Sequence, residues 1–286
     1  MVSYHLIQIS QDSTVKFIFD EGFHCVLIPS KNDKYTLCIS SQVGCAMGCE
    51  FCVTAKMGFM RNLSQEEILL QFEEALKYLK SKSQTTHLYA HQYITSIVFM
   101  GMGEPFNNYS NVINAIDYLN EEFSYPYKKI TISTSGIIPK MKQFVSSKYS
   151  SQLAVSFHSA IQEKRNLLMP YLKQFPIQEL VEVCNEYSNQ RKYGVMIEYI
   201  MIENLTDLQE DIDELLKMNF AQNTYFNLIP LNGEMKLNQK TYHASTIQRC
   251  EEFKQILRER GYKCFIRYTM GNDIEAACGM LSEGKQ

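Results

Sequence analysis

The sequence predicts an α/β fold: a mostly parallel sheet covered by helices, arranged as an open or partial barrel or as a doubly wound sheet. Three observations predict it. Short runs rich in Val, Ile, Leu and Phe alternate with longer stretches whose apolar residues recur at helical spacing. The short runs are almost continuously apolar, as strands buried on both faces are. Polar and glycine-containing segments gather just after them, where both architectures place their chemistry.

The elements follow in order. Val15–Phe19 and His24–Ile28 read as two strands joined by the turn Asp20-Glu21-Gly22, a hairpin ahead of the main fold. Tyr35–Ser40 is the first strand of the main sheet. Ser64 opens a helix, with Glu67 completing a capping box, and Ile68, Leu69, Phe72, Leu76 and Leu79 line its apolar face. The strand Ile94–Met100 runs into Gly101-Met102-Gly103-Glu104-Pro105. A helix near Val112–Leu119, a strand Lys129–Ser133 and a helix near Pro139–Val145 come next. They are followed by a strand Leu153–His158, helical patterns to Tyr187 and a strand Val195–Ile202. A helix near Leu208–Lys217, a strand Tyr225–Leu231 and a helix near Ile247–Arg260 lead to an extended run Phe265–Thr269 and a short helix around Asp273–Leu281. Six strands thus start near 35, 94, 129, 153, 195 and 225, dividing the chain into an extension, 1–34, and a barrel, 35–286.

Composition narrows the function. With 45% hydrophobic and 21% charged residues in 286, the chain is neither disordered nor fibrous. No apolar run approaches the ~18 residues of a membrane span, and Met1–His5 carry no basic lead into an apolar stretch, so a cytoplasmic protein without membrane contact is expected. A net charge of −3 excludes the strongly basic balance of many nucleic-acid binders. Local cations (Lys31, Lys34, Lys56, Arg61, Lys128, Lys129, Lys140 and Lys142) remain candidates for phosphate contacts, with Arg61 foremost because it lies next to the cysteine-rich loop.

Nine cysteines carry the most information. An odd count without a secretory signal disfavours a disulfide framework. Cys25, Cys184, Cys250 and Cys264 sit in apolar patterns and read as core packing. Cys45, Cys49 and Cys52 differ: three thiols within eight residues, directly after a strand, select zinc, copper or iron–sulfur. Zinc needs a fourth ligand, which Cys38 could supply only from within a strand. A cubane [4Fe-4S] cluster normally takes four cysteines, so three leave one iron open for a small ligand, the arrangement by which S-adenosylmethionine (SAM) chelates the unique iron of radical SAM enzymes. The Gly101–Pro105 turn suits such a cofactor, because glycines let backbone approach a ligand and Glu104 can accept from an ammonium.

Seven segments in order resemble one family, the RlmN/Cfr radical SAM enzymes. They are Leu37–Cys52, Gly58–Leu63, Met100–Pro105, Ile132–Gly136, Val155–His158, Asn227–Asn232 and Gly271–Gly279. The resemblance implies a partial (β/α)6 radical SAM barrel with a short N-terminal β-hairpin extension. It also implies methylation of carbon 2 or carbon 8 of an adenine in ribosomal or transfer RNA, with a [4Fe-4S] cluster and SAM as cofactors. Cys45, Cys49 and Cys52 would hold the cluster, and Gly103, Glu104, Ser133, Ser156, Phe157, His158 and Asn232 would contact SAM. Cys278 would be the cysteine that is first methylated and Cys38 its partner thiol. In the family's chemistry a second SAM is cleaved to a 5′-deoxyadenosyl radical that takes hydrogen from the S-methyl group. The resulting carbon radical adds to the adenine, and Cys38 then attacks Cys278 sulfur to release the product and leave a disulfide.

Two departures stand out. The helical accessory domain with which the family generally begins is not seen ahead of the hairpin. The glutamate proposed as base in the family's second hairpin strand is replaced by His24, itself able to accept a proton near neutral pH. A monomer served by a reductant such as flavodoxin or ferredoxin is expected. The alternatives are a truncated paralogue using the same chemistry on another substrate, and a zinc-stabilised RNA-binding module without redox chemistry.

Overall fold

A computed structural model describes residues 4–31, 34–82 and 89–282. Ten strands form one sheet in chain order: β1 (Tyr4–Ile9), β2 (Val15–Phe19), β3 (His24–Ser30), β4 (Lys34–Cys38), β5 (Ile94–Phe99), β6 (Ile130–Thr134), β7 (Gln152–Ser156), β8 (Met196–Met201), β9 (Tyr225–Pro230) and β10 (Lys263–Ile266). From β1 to β4 the pairing is antiparallel. From β4 to β10 it is parallel, which requires a crossover between each pair. The crossovers carry α1 (Gln65–Lys82), α2 (Tyr109–Phe123), α3 (Ile138–Val145), α4 (Gln162–Leu168), α5 (Ile177–Asn189), α6 (Gln209–Lys217) and α7 (Ile247–Glu259). The mostly parallel α/β architecture is the one expected, and each of the six expected strands is present.

The local reasons are those read from the sequence. At the start of α1 the Ser64 N–H donates to Glu67 Oε2 (2.8 Å) and the Glu67 N–H donates back to Ser64 Oγ (3.3 Å). Along each parallel strand, alternate residues face the helices and the barrel interior. Leu37, Ile97, Ile132, Val155, Tyr199 and Leu228 are buried in the hydrophobic core. Cys38, Val98, Met100, Thr131, Asn227 and Ile229 line an interior cavity.

Three features differ from expectation. The hairpin is a three-stranded meander, because Tyr4–Ile9 adds β1, and five residue pairs join β3 to β4 so that it continues the barrel sheet. The run at Phe265–Thr269 begins earlier, as β10, and pairs in parallel with β9 to make a seventh parallel strand. The short helix around Asp273–Leu281 reduces to one 3-10 turn, Asn272–Ile274, bracketed by left-handed Gly271 (φ 67°) and Glu275 (φ 52°).

The reason for the last difference is that this C-terminal segment spends its polar groups on other elements. Gly271 N–H donates to Asp12 Oδ2 (2.7 Å), and Asp273 accepts from Ser10 Oγ and from Gln11 N–H (3.1 Å). Buried Lys16 donates to the Ile274 carbonyl (3.2 Å). Val53 N–H donates to the Gly279 carbonyl (2.7 Å), Thr54 Oγ1 to that of Leu281, and His24 Nε2 to that of Ser282 (2.8 Å). The tail is thereby strapped from the β1–β2 turn across the barrel mouth. No described helix is long and apolar enough to cross a membrane.

Candidate active site

The cysteine loop leaves β4 and is held at its neck by a two-stranded sheet, Gln42–Gly44 against Phe59–Asn62. Cys45 N–H donates to the Gly58 carbonyl (3.0 Å), Cys52 N–H to that of Cys49 (3.1 Å) and Glu50 N–H to that of Leu168 (3.0 Å). Cys45, Cys49 and Cys52 all line one cleft of about 890 Å³, counted to its open mouth. Burial pushes all three thiols up, Cys45 to about 12; repulsion from neighbouring cysteines adds to it at Cys45 and Cys49, while hydrogen bonds at Ala55 and Thr54 oppose it at Cys52. No three His, Cys, Asp or Glu side chains among the described residues are gathered closely enough to hold one metal ion. A single zinc, with Zn–S of about 2.3 Å, would draw its thiolates within about 4 Å of one another. Three free thiols that line one cleft match a cluster that offers each a separate iron.

The Gly101–Pro105 turn forms the next wall. Gly103 is obligatory on two counts: its φ is 96°, and an added Cβ would meet Gln42 Cβ at 2.5 Å. Gln42 in turn receives the Glu104 N–H at 2.8 Å. Glu104 is buried, its carboxylate accepting from Phe106 N–H (3.0 Å) and Ser135 N–H (2.7 Å). Burial raises its pKa while those bonds oppose the rise, and the lone pairs left over can still receive an ammonium.

Ser133, Ser156 and His158 line the same cleft. His158 adopts the left-handed region (φ 62°), and its Nδ1 accepts from Ile200 N–H at 3.1 Å. Burial, then the neighbouring Arg165, holds the imidazole down at about 3, so it is neutral, with Nε2–H the donor it can offer a ligand. Phe157, between them, does not line the cleft. Strand alternation turns it the other way, where it is fully buried and meets Phe220 edge-on, ring centroids 5.4 Å apart.

Asn232 lines the cleft, but its amide serves the tail. Nδ2 donates to the Cys278 carbonyl (2.9 Å), and Oδ1 accepts from Thr269 Oγ1 (2.7 Å). Cys278 borders both this cleft and the adjoining interior cavity, and Cys38 lines that second cavity. Burial raises both thiols, Cys38 to about 12, while Arg267 pulls them down. His24 stands apart, 1% exposed, bonded to the Ser282 carbonyl and lining neither cavity. Arg61 is no free cation: it forks onto Glu67 with two 2.8 Å bonds.

Two functional candidates escaped sequence reasoning. Glu198, 4% exposed, accepts from Ser133 Oγ (2.6 Å) and lies 3.8 Å from Arg267 Nη1. A lone acid inside the apolar run Val195–Ile202 was the available signal. Arg267, in the stretch after β10, gave none.

Residues 39–219 match the radical SAM superfamily. The chain is 39% identical over 284 residues to the dual-specificity RNA methyltransferase RlmN of Desulfosudis oleivorans, covering 96% of this chain and 72% of that one. It is 38% identical to the protein of the same name from Vesicomyosocius okutanii, covering 95% and 75%. This chain belongs to the RlmN family of radical SAM enzymes. A crystal structure of a radical SAM methyltransferase from Sphaerobacter thermophilus superposes with a TM-score of 0.88 at 34% identity, covering 98% of this chain and 80% of that one. The chain is thus a SAM-dependent radical SAM methyltransferase, and its cofactors are a [4Fe-4S] cluster and SAM. Three thiols lining one cleft together with a carboxylate, an imidazole N–H and serine hydroxyls fit both groups.

Proposed function

We propose that this RlmN-type enzyme methylates RNA, at carbon 2 or carbon 8 of an adenine in ribosomal or transfer RNA, through a methylated Cys278. The RNA-methyltransferase names of its relatives support the substrate class. One observation carries the cysteine chemistry: Cys278 borders the cleft of the three loop cysteines on one side and the cavity containing Cys38 on the other. A thiol in that position can take a methyl group from SAM in the cleft and later be attacked at sulfur by Cys38.

Cys45, Cys49 and Cys52 hold the cluster, which when bound supplies the electron that cleaves SAM reductively. Glu104 receives the methionyl ammonium. Gly103 brings the chain's own backbone to the cofactor, and Ser133, Ser156 and His158 supply polar contacts along it. Asn232 presents Cys278 by holding its carbonyl. Cys38 resolves the linkage between Cys278 and the product, leaving a Cys38–Cys278 disulfide to be reduced. For Phe157 we assign core packing, and for His24 anchorage of the tail at Ser282 rather than proton acceptance. Residues 1–34 act as an extension of a barrel spanning 35–286. The chain acts as a monomer served by a reductant of the flavodoxin or ferredoxin kind.

The test is a Cys38→Ala variant purified from cells. An RNA adduct attached through Cys278 should accumulate and be visible by mass spectrometry. Unmodified Cys278 in that variant and no methyl group on Cys278 of the parent protein would refute the methyl-cysteine route.

A further inference from the structure

Arg165, on α4, is 0% exposed. Its Nε donates to the Phe157 carbonyl (3.2 Å), and Nη2 donates to those of Ser135 (2.7 Å) and Ser156 (3.4 Å), at the C-terminal ends of β6 and β7. Its Nη1 is buried without a hydrogen-bond partner among the described residues. Its neighbour provides the contrast: Lys164 holds two carboxylates, Glu210 at 2.7 Å and Asp211 at 2.8 Å, whereas Arg165 touches only neutral carbonyls. A buried cation without an anion is costly, and structures that keep one supply the anion from somewhere.

The surroundings indicate where. Its ionisable neighbours are the imidazole of His158, held neutral by burial and by Arg165 itself, and the thiols of Cys49 and Cys184. Cys184 is a core residue of α5, its thiol pushed by burial up to about 12, and so it stays neutral. Cys49 belongs to the cysteine loop, and α4 is docked directly on that loop. The Leu168 carbonyl receives Glu50 N–H at 3.0 Å, and Leu168 and Met169 pack with Cys45 and Met47.

We propose that Arg165 is the built-in counter-charge of the iron–sulfur cluster and raises its reduction potential. The proposal rests on the assignment of Cys45, Cys49 and Cys52 as cluster ligands. Three thiolates on a [4Fe-4S]2+ core carry a net charge of −1, and one electron from a low-potential reductant takes this to −2. No proton moves and no bond is made or broken. A fixed guanidinium near Cys49 stabilises the more negative state, with hydrogen bonds to the Ser135, Ser156 and Phe157 carbonyls fixing its position. Arg165 is a positioning and tuning residue, touching neither SAM nor substrate.

The experiment compares the full chain with Arg165→Met and Arg165→Lys, each reconstituted anaerobically without SAM and titrated with dithionite against redox mediators, the reduced cluster being read by electron paramagnetic resonance. At one fixed potential, Arg165→Met should show a ratio of reduced to oxidised cluster lower by about tenfold, or ~59 mV for a one-electron couple. Arg165→Lys, which keeps the charge, should stay within about twofold of the parent. An Arg165→Met chain that folds but takes up no iron, while Arg165→Lys loads fully, also supports the counter-charge. The proposal is overturned by an unchanged ratio in Arg165→Met, by an equal shift in Arg165→Lys, or by failure of Arg165→Met to fold without iron, which would mark a staple for the carbonyls alone. A parent chain that binds no iron would instead refute the ligand assignment.

Discussion

The cysteine loop and the C-terminal tail bring their thiols to the same cleft by opposite means. Cys45, Cys49 and Cys52 are placed by eight consecutive residues, clamped at the neck by a short antiparallel pair and seated on α4. Cys278 lies in a segment whose only regular piece among the described residues is one 3-10 turn, and it is held by side chains from the β1–β2 turn, from Thr54 and from Asn232. Local geometry suits a cluster that must stay put through the reaction. A strap of individually modest hydrogen bonds suits the succession of encounters with SAM, RNA and Cys38 that we propose for Cys278, because each bond contributes only about 0.5–1.5 kcal/mol and can be exchanged.

The sharpest test of that contrast is to remove one thiol from each region. Cys49→Ala should abolish both the brown colour of reconstituted protein and all methyl transfer. Cys278→Ala should abolish transfer while leaving iron content and visible absorbance at parental levels; loss of iron in the second variant would break the distinction. Next in size is Gly103→Ala, whose Cβ would collide with Gln42 while occupying a left-handed backbone. A cost of about 1–3 kcal/mol is expected, read as SAM binding at least about fivefold weaker by calorimetry with the cluster still loaded.

Asn232→Ala probes the tail alone. With both amide bonds gone, methylation of Cys278 should slow roughly tenfold with SAM affinity little changed, since two hydrogen bonds of about 0.5–1.5 kcal/mol are lost. A large drop in SAM affinity instead would return Asn232 to the cofactor. The smallest effect concerns the strap at Asp12. Partial burial opposes its ionisation, but hydrogen bonds from Gly271 and Thr14 outweigh that and hold it down at about 2, below the ordinary 3.8. A depressed carboxylate contributes stability that is complete above about pH 4 and lost as pH falls towards 2. Asp12 is mostly solvated, so the contribution is under about 1 kcal/mol. Asp12→Asn should therefore lower stability at pH 7 by under about 1 kcal/mol and leave it unchanged near pH 2, flattening the acid limb of a thermal-unfolding profile slightly.

Legibility followed the same division. The strands from Ile94 to Leu231 were readable because residues buried on both faces leave continuous apolar runs, and the cysteine spacing was readable because one short loop contains the whole set. Phe157 was grouped with Ser156 and His158 because adjacency in a motif hides the alternation that turns every second side chain away. His24 stood where a base was expected, yet β3 carries it beneath Ser282.

By itself the sequence determined the parallel α/β scaffold, the three-thiol loop and the glycine turn at Gly103, since each depends on neighbours a few residues apart. Tertiary structure alone decided that Cys278 borders the cavity of Cys38, that Asn232 bonds the Cys278 carbonyl, and that Arg165 is buried on backbone carbonyls with no acid bonded to it among the described residues. These relations join residues far apart in the chain, and a linear pattern carries no signal for a contact that exists only once the sheet has curled and the tail has crossed its mouth.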